Sequence, residues 1–333
     1  MNATRVTRRL HNLRMSNSIA AGAKLIEEET LPHYSASLFF PVRIGQILHE
    51  RYKVEAKFGF GGSSTVWLCR DKKDDTYKAL KVGTYSATEN RESKVLAYLE
   101  RCGSTHDGRY CVRRSSDSFK MTVPDDIKLD NILTTLPDDE EAILTKYIDT
   151  TYQDPVKVID GRRSIYMSRT PEYSNDLTYP IICDFGMAVF DQEYYEGLIQ
   201  PIPYRAPEVI LGMKWNSSVD IWNLGIIIWE LLFSEHIFGS KTERGCVEMM
   251  MTHLGPPPME FLQRHALPCL YFDEHGKWKG ADITPITLHD RLEGADVDLF
   301  LDFLTSMLRW VPEERGTAAT LLGHPWLDPK NDK

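Results

Sequence analysis

The run Gly59-Phe60-Gly61-Gly62-Ser63-Ser64-Thr65-Val66 follows a strand-like stretch. Glycines in such a run let backbone N–H groups come close to phosphate oxygens. Gly-rich hairpins are common, so taken alone the run is equally an ordinary turn. Lys81 lies inside Ala79-Leu80-Lys81-Val82, where an ammonium in an apolar strand is either an edge-strand charge or a phosphate ligand. Glu92 opens an amphipathic helix soon after and is either the partner of Lys81 or a surface carboxylate. Three further clusters follow in order: Asp126-Ile127-Lys128-Leu129-Asp130-Asn131, then Asp184-Phe185-Gly186, then Ala206-Pro207-Glu208.

The elements around these residues form two groups. Residues 45–83 read as β-rich, with short Val, Tyr, Phe and Trp stretches punctuated by Gly. Residues 88–100 read as a helix, with Val95, Leu96 and Leu99 at helical spacing. Beyond residue 205 the pattern is helical. Ile221, Leu224, Ile227 and Ile228 make one apolar face, continued by Leu231 and Leu232, and Gly255-Pro256-Pro257-Pro258 breaks the helices. Phe300–Leu308 and Thr317–Leu322 read as two more helices. Residues 134–180, with Asp138, Asp139, Glu140, Glu141, Arg162 and Arg163, are long for a connection and read as a solvated insertion.

Composition narrows the class. A chain of 333 residues suggests about two domains or one large two-lobed one. At 42% apolar and 26% charged it can bury a core. Its net charge of −9 argues against a nucleic-acid binder driven by positive charge. No apolar stretch reaches the ~18 residues of a membrane span; the richest, Leu224–Phe233, is too short. The six cysteines are scattered without CxxC spacing, as in a reduced intracellular protein with no zinc site. Residues 1–26 carry Arg5, Arg8, Arg9, Arg14 and Lys24 and no acid. That composition suits a mitochondrial transit peptide, but a solvated tail over residues 1–35 is the preferred reading.

The ordered set resembles the protein-kinase signature: Gly-rich loop, strand Lys, helix Glu, D-x-K-x-x-N catalytic loop, D-F-G and A-P-E. Within that superfamily the chain is similar to the fungal SR-protein kinases of the CMGC group. The resemblance is carried by Ser64-Thr65-Val66-Trp67-Leu68, Ile127-Lys128-Leu129-Asp130-Asn131-Ile132-Leu133, Tyr204-Arg205-Ala206-Pro207-Glu208, Leu254-Gly255-Pro256-Pro257-Pro258 and His324-Pro325-Trp326-Leu327. It spans roughly residues 26–328. It implies an α+β, two-lobed protein-kinase-like fold, with a β-rich lobe over 36–121, a helical lobe over 122–328 and a tail over 329–333.

It also implies roles. Gly59, Gly61, Ser64 and Val66 cover the phosphates of ATP, and Lys81, steadied by Glu92, holds them. Asp184 and Asn131 hold Mg²⁺. Asp126 orients the substrate hydroxyl and accepts its proton, and Lys128 neutralises charge on the moving phosphoryl group. Glu208 and Arg315 form a buried, structural ion pair. The implied activity is serine/threonine phosphorylation of Arg/Ser-rich protein substrates. A monomer of the cytoplasm or nucleus follows, with no direct nucleic-acid or membrane partner.

The chain departs from the pattern in places. Pro124 and Asp125 stand where a His and an Arg normally precede the catalytic Asp. No Ser or Thr lies between Gly186 and Glu208, so loop phosphorylation on those residues is not the switch; Tyr194, Tyr195 and Tyr204 read as structural. Only 33 residues separate Glu92 from Asp126, where two strands, a hinge and two helices need roughly 65–75. Asp117-Ser118-Phe119 resembles the strand after the Glu helix; the next strand, the adenine-binding hinge and two helices are missing. The expected consequences are weak Mg·ATP binding, marginal stability and an exposed inner face on the helix around Ile221–Leu232. The alternative reading is a catalytically impaired pseudokinase or truncated splice form that binds partners.

Overall fold

The computed structural model describes residues 25–32, 34–84, 91–102, 107–113, 117–122, 128–135, 144–145, 148, 157–159, 163–168, 182, 185, 188–190, 192–294 and 296–328. They belong to two units, Met1–Phe190 and Asp191–Lys333. The division falls well after the lobe boundary expected at residue 121.

The first unit is built on an antiparallel sheet of β1 (Ile47–Leu48), β2 (Tyr52–Gly61), β3 (Ser64–Asp71), β4 (Tyr77–Gly83), β5 (Asp117–Thr122) and β6 (Lys128–Thr135). Their spatial order is β1-β2-β3-β4-β6-β5. Burial alternates along β4, with Lys78, Leu80 and Val82 inside and Ala79, Lys81 and Gly83 half-buried, as a two-faced strand requires. One face carries Val54, Trp67, Cys69, Leu80 and Val82 with Tyr166; the other carries Ala56, Leu68 and Leu144. The turn after β3 is tied by Arg51, which donates to both Asp71 oxygens at 2.7 and 2.6 Å. Helix α1 (Arg91–Arg101) follows β4 and buries Val95 and Leu96, while Leu99 is exposed.

Three expectations are corrected here. Residues 128–135 form a strand, not a loop beyond the small lobe. β6 pairs with β4, Lys81 opposite Ile132 and Val82 opposite Asn131. The reason is an edge problem: β4 carries buried residues, and an open edge there would leave its backbone groups unpaired. The segment Leu129–Leu133 has enough β-branched and apolar character to fill it. Of the tail expected over 1–35, residues 1–24 lie outside the described residues, and the rest is not a free tail, because Glu28 and Glu29 are buried in a 3₁₀ turn, Glu27–Thr30. The 134–180 insertion is not merely solvated. It contains the hairpin β7 (Lys157–Ile159) and β8 (Arg163–Ile165), and it buries Leu144, Ile165 and Tyr166.

The second unit is helical: α2 (Pro207–Ile210), α3 (Ser218–Phe233), α4 (Glu243–Leu254), α5 (Met259–Leu262), α6 (Val297–Thr305) and α7 (Ala318–Leu322). Its core gathers Trp222, Ile226, Trp229, Phe238, Val247, Phe261 and Leu304. Helix α3 is apolar nearly all round, and its buried stripe is Val219, Trp222, Gly225, Ile226 and Trp229. Of the face read from the sequence, Ile221 and Ile228 are half-buried against the core and the other four residues are exposed. Leu224, Ile227, Leu231 and Leu232 are 40, 41, 78 and 52% exposed, the exposure expected on this side of the helix. A Cβ at Gly225 would stand 2.9 Å from the Leu308 side chain, so only glycine permits that approach. Thr242 caps α4 by accepting from the Gly245 amide at 3.2 Å, and Gly255, at φ 77°, ends it.

Candidate active site

The Gly-rich hairpin joins β2 to β3 through Gly62 and Ser63, with Gly61 opposite Ser64, Phe60 opposite Thr65 and Gly59 opposite Val66. Val66 in turn lies opposite Lys81. Gly59, Val66 and Lys81 therefore form one row across three strands, on one face of the sheet. A Cβ on Gly59, Gly61 or Gly62 would meet nothing within 4 Å, so the backbone there is open to a ligand. The half-buried Phe58 and Tyr77 pack with Ala56, Leu68, Leu144 and Ile148 on this face.

Lys81 is anchored. Its Nζ is 2.6 Å from Glu92 Oε2, with side chains 19 and 7% exposed. This resolves the two alternatives left by the sequence: Glu92 is the partner of Lys81, not a surface carboxylate. Sequence reasoning missed Arg113, whose Nη2 donates to Glu92 Oε1 at 2.9 Å. The Arg113 amide donates to the Ile182 carbonyl at 2.9 Å, and the Ile182 amide to the Cys111 carbonyl at 2.7 Å. The chain just before Asp184 is thus tied to the strand-like segment whose arginine shares the Glu92 carboxylate. A cation directly after apolar Val112 was the only sequence signal for it.

The other expected residues divide. Asp126 and Asp184 lie outside the described residues. Lys128 and Asn131 lie on β6, Lys128 opposite Thr122 and Asn131 opposite Phe119 and Val82; the loop that would present them to a moving phosphoryl group is replaced by a strand. Ile132 is the residue opposite Lys81; Asn131 is opposite Val82, so the register puts Asn131 on the face of the sheet away from Lys81, against the expectation that it lies near that lysine. The chemistry of Lys81, Glu92 and the open glycines fits the phosphates of ATP.

In the second unit the expected ion pair is present. Arg315 Nη1 and Nη2 donate to Glu208 Oε1 and Oε2 at 2.7 and 2.6 Å, with side chains 0 and 1% exposed. This is the bidentate geometry that lets a buried arginine and carboxylate coexist. Tyr195 stacks on Trp215 with ring centroids 5.1 Å apart. Tyr204 donates its hydroxyl to Glu230, and that hydrogen bond raises its pKa. Both tyrosines have the structural roles expected of them.

Comparison with known proteins agrees with the motif reading. The protein kinase domain family matches residues 173–327. A serine/threonine protein kinase of Aspergillus fumigatus is 34% identical, over 93% of this chain and 92% of its own length. That alignment runs over 364 residues, whereas 93% of 333 is about 310, so roughly 54 of its positions face gaps in this chain. The serine/threonine-protein kinase SRPK of Physarum polycephalum is 26% identical, over 90% of this chain and 91% of its own. A crystal structure of a kinase domain superposes with a TM-score of 0.65 at 21% identity, covering 87% of this chain and 99% of that one. With the fold shared and a relative similar along nearly the full length of both chains, the chain belongs to the serine/threonine protein kinases, in the two-lobed kinase fold.

Proposed function

We propose that the chain transfers the γ-phosphoryl group of ATP to serine or threonine hydroxyls in Arg/Ser-rich protein segments. The observation that carries this reading is the Lys81–Glu92 pair at 2.6 Å, set in one row with Gly59 and Val66. Phosphoryl transfer needs positioning and charge neutralisation more than covalent chemistry. Lys81 would hold the α- and β-phosphates, and Glu92 with Arg113 keeps its ammonium aimed at them. Backbone amides of Gly59–Ser64 would cover the phosphates. Asp126 would accept the hydroxyl proton and Lys128 would offset charge on the moving group; Asp184 would hold Mg²⁺, and the motif's second ligand, Asn131, would have to leave β6 to join it. Bound Mg²⁺ would neutralise the phosphate oxygens. The substrate class is supported by the likeness to the Physarum kinase and by the net charge of −9, which favours basic partners.

The experiment is transfer of labelled phosphate from ATP to an Arg/Ser repeat peptide, by the chain and by Asp126→Asn. A positioned base typically supplies ~10²–10⁴-fold, so the variant should lose at least a hundredfold. Equal rates would assign the activity to a contaminant. One observation favours a second reading, a nucleotide-binding protein with impaired transfer: the D-x-K-x-x-N run enters β6. Nucleotide binding lost in Lys81→Met, with no transfer in the parent, would select it.

A further inference from the structure

The base of the Gly-rich hairpin holds a buried charge cluster that the phosphate site does not use. Lys57, 1% exposed, sits two residues before Gly59, and the bulge in β2 falls between Lys57 and Gly59. Its Nζ contacts Glu28 Oε2 and lies 3.3 Å from Glu27 Oε2 and 3.2 Å from the Tyr166 carbonyl. The ammonium also stands 5.3 Å from the Phe60 ring and 6.0 Å from the Trp67 ring. The carboxylates are held in turn. Ser168 donates its amide and hydroxyl to Glu27 at 3.0 and 2.5 Å, and Lys157 donates to both Glu29 oxygens at 2.8 Å. The segment before the sheet and the 157–168 part of the insertion thus meet at one lysine.

We propose that Lys57, clamped by Glu27 and Glu28, is a positioning residue that fixes the pose of the Gly59–Ser64 hairpin over the nucleotide phosphates. This rests on the kinase reading of that hairpin. On the β3 side the tip is tied to the sheet, where the Ser63 carbonyl accepts from the Thr84 amide at 2.8 Å and Ser64 lies opposite Gly83; on the β2 side the space around Gly59, Gly61 and Gly62 is open. The pose of the β2 arm is therefore set at its root. A buried ion cluster is a poor source of stability, since apolar residues of similar volume commonly do as well. What it supplies is direction, because an ammonium shared between two carboxylates and a carbonyl has one satisfied geometry. Phe60 and Trp67, against the same ammonium, carry that geometry to both strands of the hairpin.

The test uses the full chain, Glu28→Gln, and the neutral triple variant Lys57→Met/Glu27→Gln/Glu28→Gln. Three readouts are needed: thermal melting, amide hydrogen exchange at residues 59–66, and Mg·ATP titration. The triple variant should melt cooperatively within a few degrees of the parent. Exchange at 59–66 should accelerate about tenfold, with exchange in α3 unchanged, and the Kd for Mg·ATP should rise about tenfold. Glu28→Gln should move exchange and Kd the same way by a smaller factor. Parent-like exchange and affinity in the triple variant overturn the proposal. Loss of cooperative melting in it also does so, because the cluster is then a requirement for folding. If the parent itself does not bind Mg·ATP while exchange still responds, the nucleotide role fails and the kinase reading of the hairpin fails with it. If the parent binds and exchange does not respond, only the positioning role fails.

Discussion

Leu231→Glu should be nearly silent in this chain and costly in a lengthened one. Leu231 is 78% exposed on α3, beside Ile227 at 41%, Leu224 at 40%, Leu232 at 52% and Phe233 at 39%. Together these exposures amount to about two and a half whole apolar side chains left in water. At ~1.5–3 kcal/mol for each side chain fully buried, covering them is worth about 4–7 kcal/mol as an upper figure. A surface charge at Leu231 changes stability by roughly 0.5 kcal/mol or less. The second arm inserts between Met121 and Pro124, where the sequence falls short of the kinase pattern, the corresponding segment of a complete fungal relative. That chain should melt well above the parent. In it, Leu231→Glu should cost at least ~3 kcal/mol, since a buried unpaired carboxylate is now forced on the core. The assay is a set of four thermal melts, with light scattering to follow association. In the parent, Leu231→Glu should also reduce self-association, because apolar patches of this kind drive it. A several-degree loss in the parent variant, or none in the lengthened one, would refute the reasoning.

Other outcomes follow from single contacts. Arg315→Met leaves Glu208 buried and unpaired and should cost about 3–5 kcal/mol; adding Glu208→Leu should recover most of it, read as a double-mutant cycle of melts. Burial lowers the pKa of His253, outweighing the hydrogen bond to the Ile286 carbonyl. The unfolded chain therefore binds the proton more readily, and the helical unit should lose stability as pH falls below about 6.5; His253→Gln should flatten that slope. For Asp71, burial pushes the carboxyl up but the Arg51 and Lys73 hydrogen bonds outweigh it and hold it below the usual range. Its stabilising contribution is present above the unfolded carboxylate pKa and disappears at more acid pH, which Asp71→Asn should abolish.

The two ion pairs that organise the units were legible in the sequence. Lys81 with Glu92 and Glu208 with Arg315 are fixed by motif, and each pairs a buried carboxylate with a cation. Strand β6 was not legible. Ile127-Lys128-Leu129-Asp130-Asn131-Ile132 reads as a loop by motif and as a strand by its apolar content, and the unpaired edge of β4 decides between them. That edge belongs to a segment far away in the chain. The same non-locality hid the Glu27–Thr30 turn. Glutamates are seldom buried unless paired, and the partner of Glu28 is Lys57, 29 residues on. On α3 the period-3.6 pattern was real, but a helix apolar on both sides does not declare which side its neighbours cover. Arg113 carried no signal beyond its charge.

The most direct test of the site is calorimetric titration of Mg·ATP into the chain, Lys81→Met and Glu92→Gln. A hydrogen bond to a charged group is worth ~1.5–3 kcal/mol, so the account predicts measurable binding by the parent and a loss of about tenfold or more in Lys81→Met. Glu92→Gln, which keeps a hydrogen-bonding group beside Lys81, should lose less. Indistinguishable isotherms for the parent and Lys81→Met would contradict the assignment of the Gly59–Val66–Lys81 row as the nucleotide site.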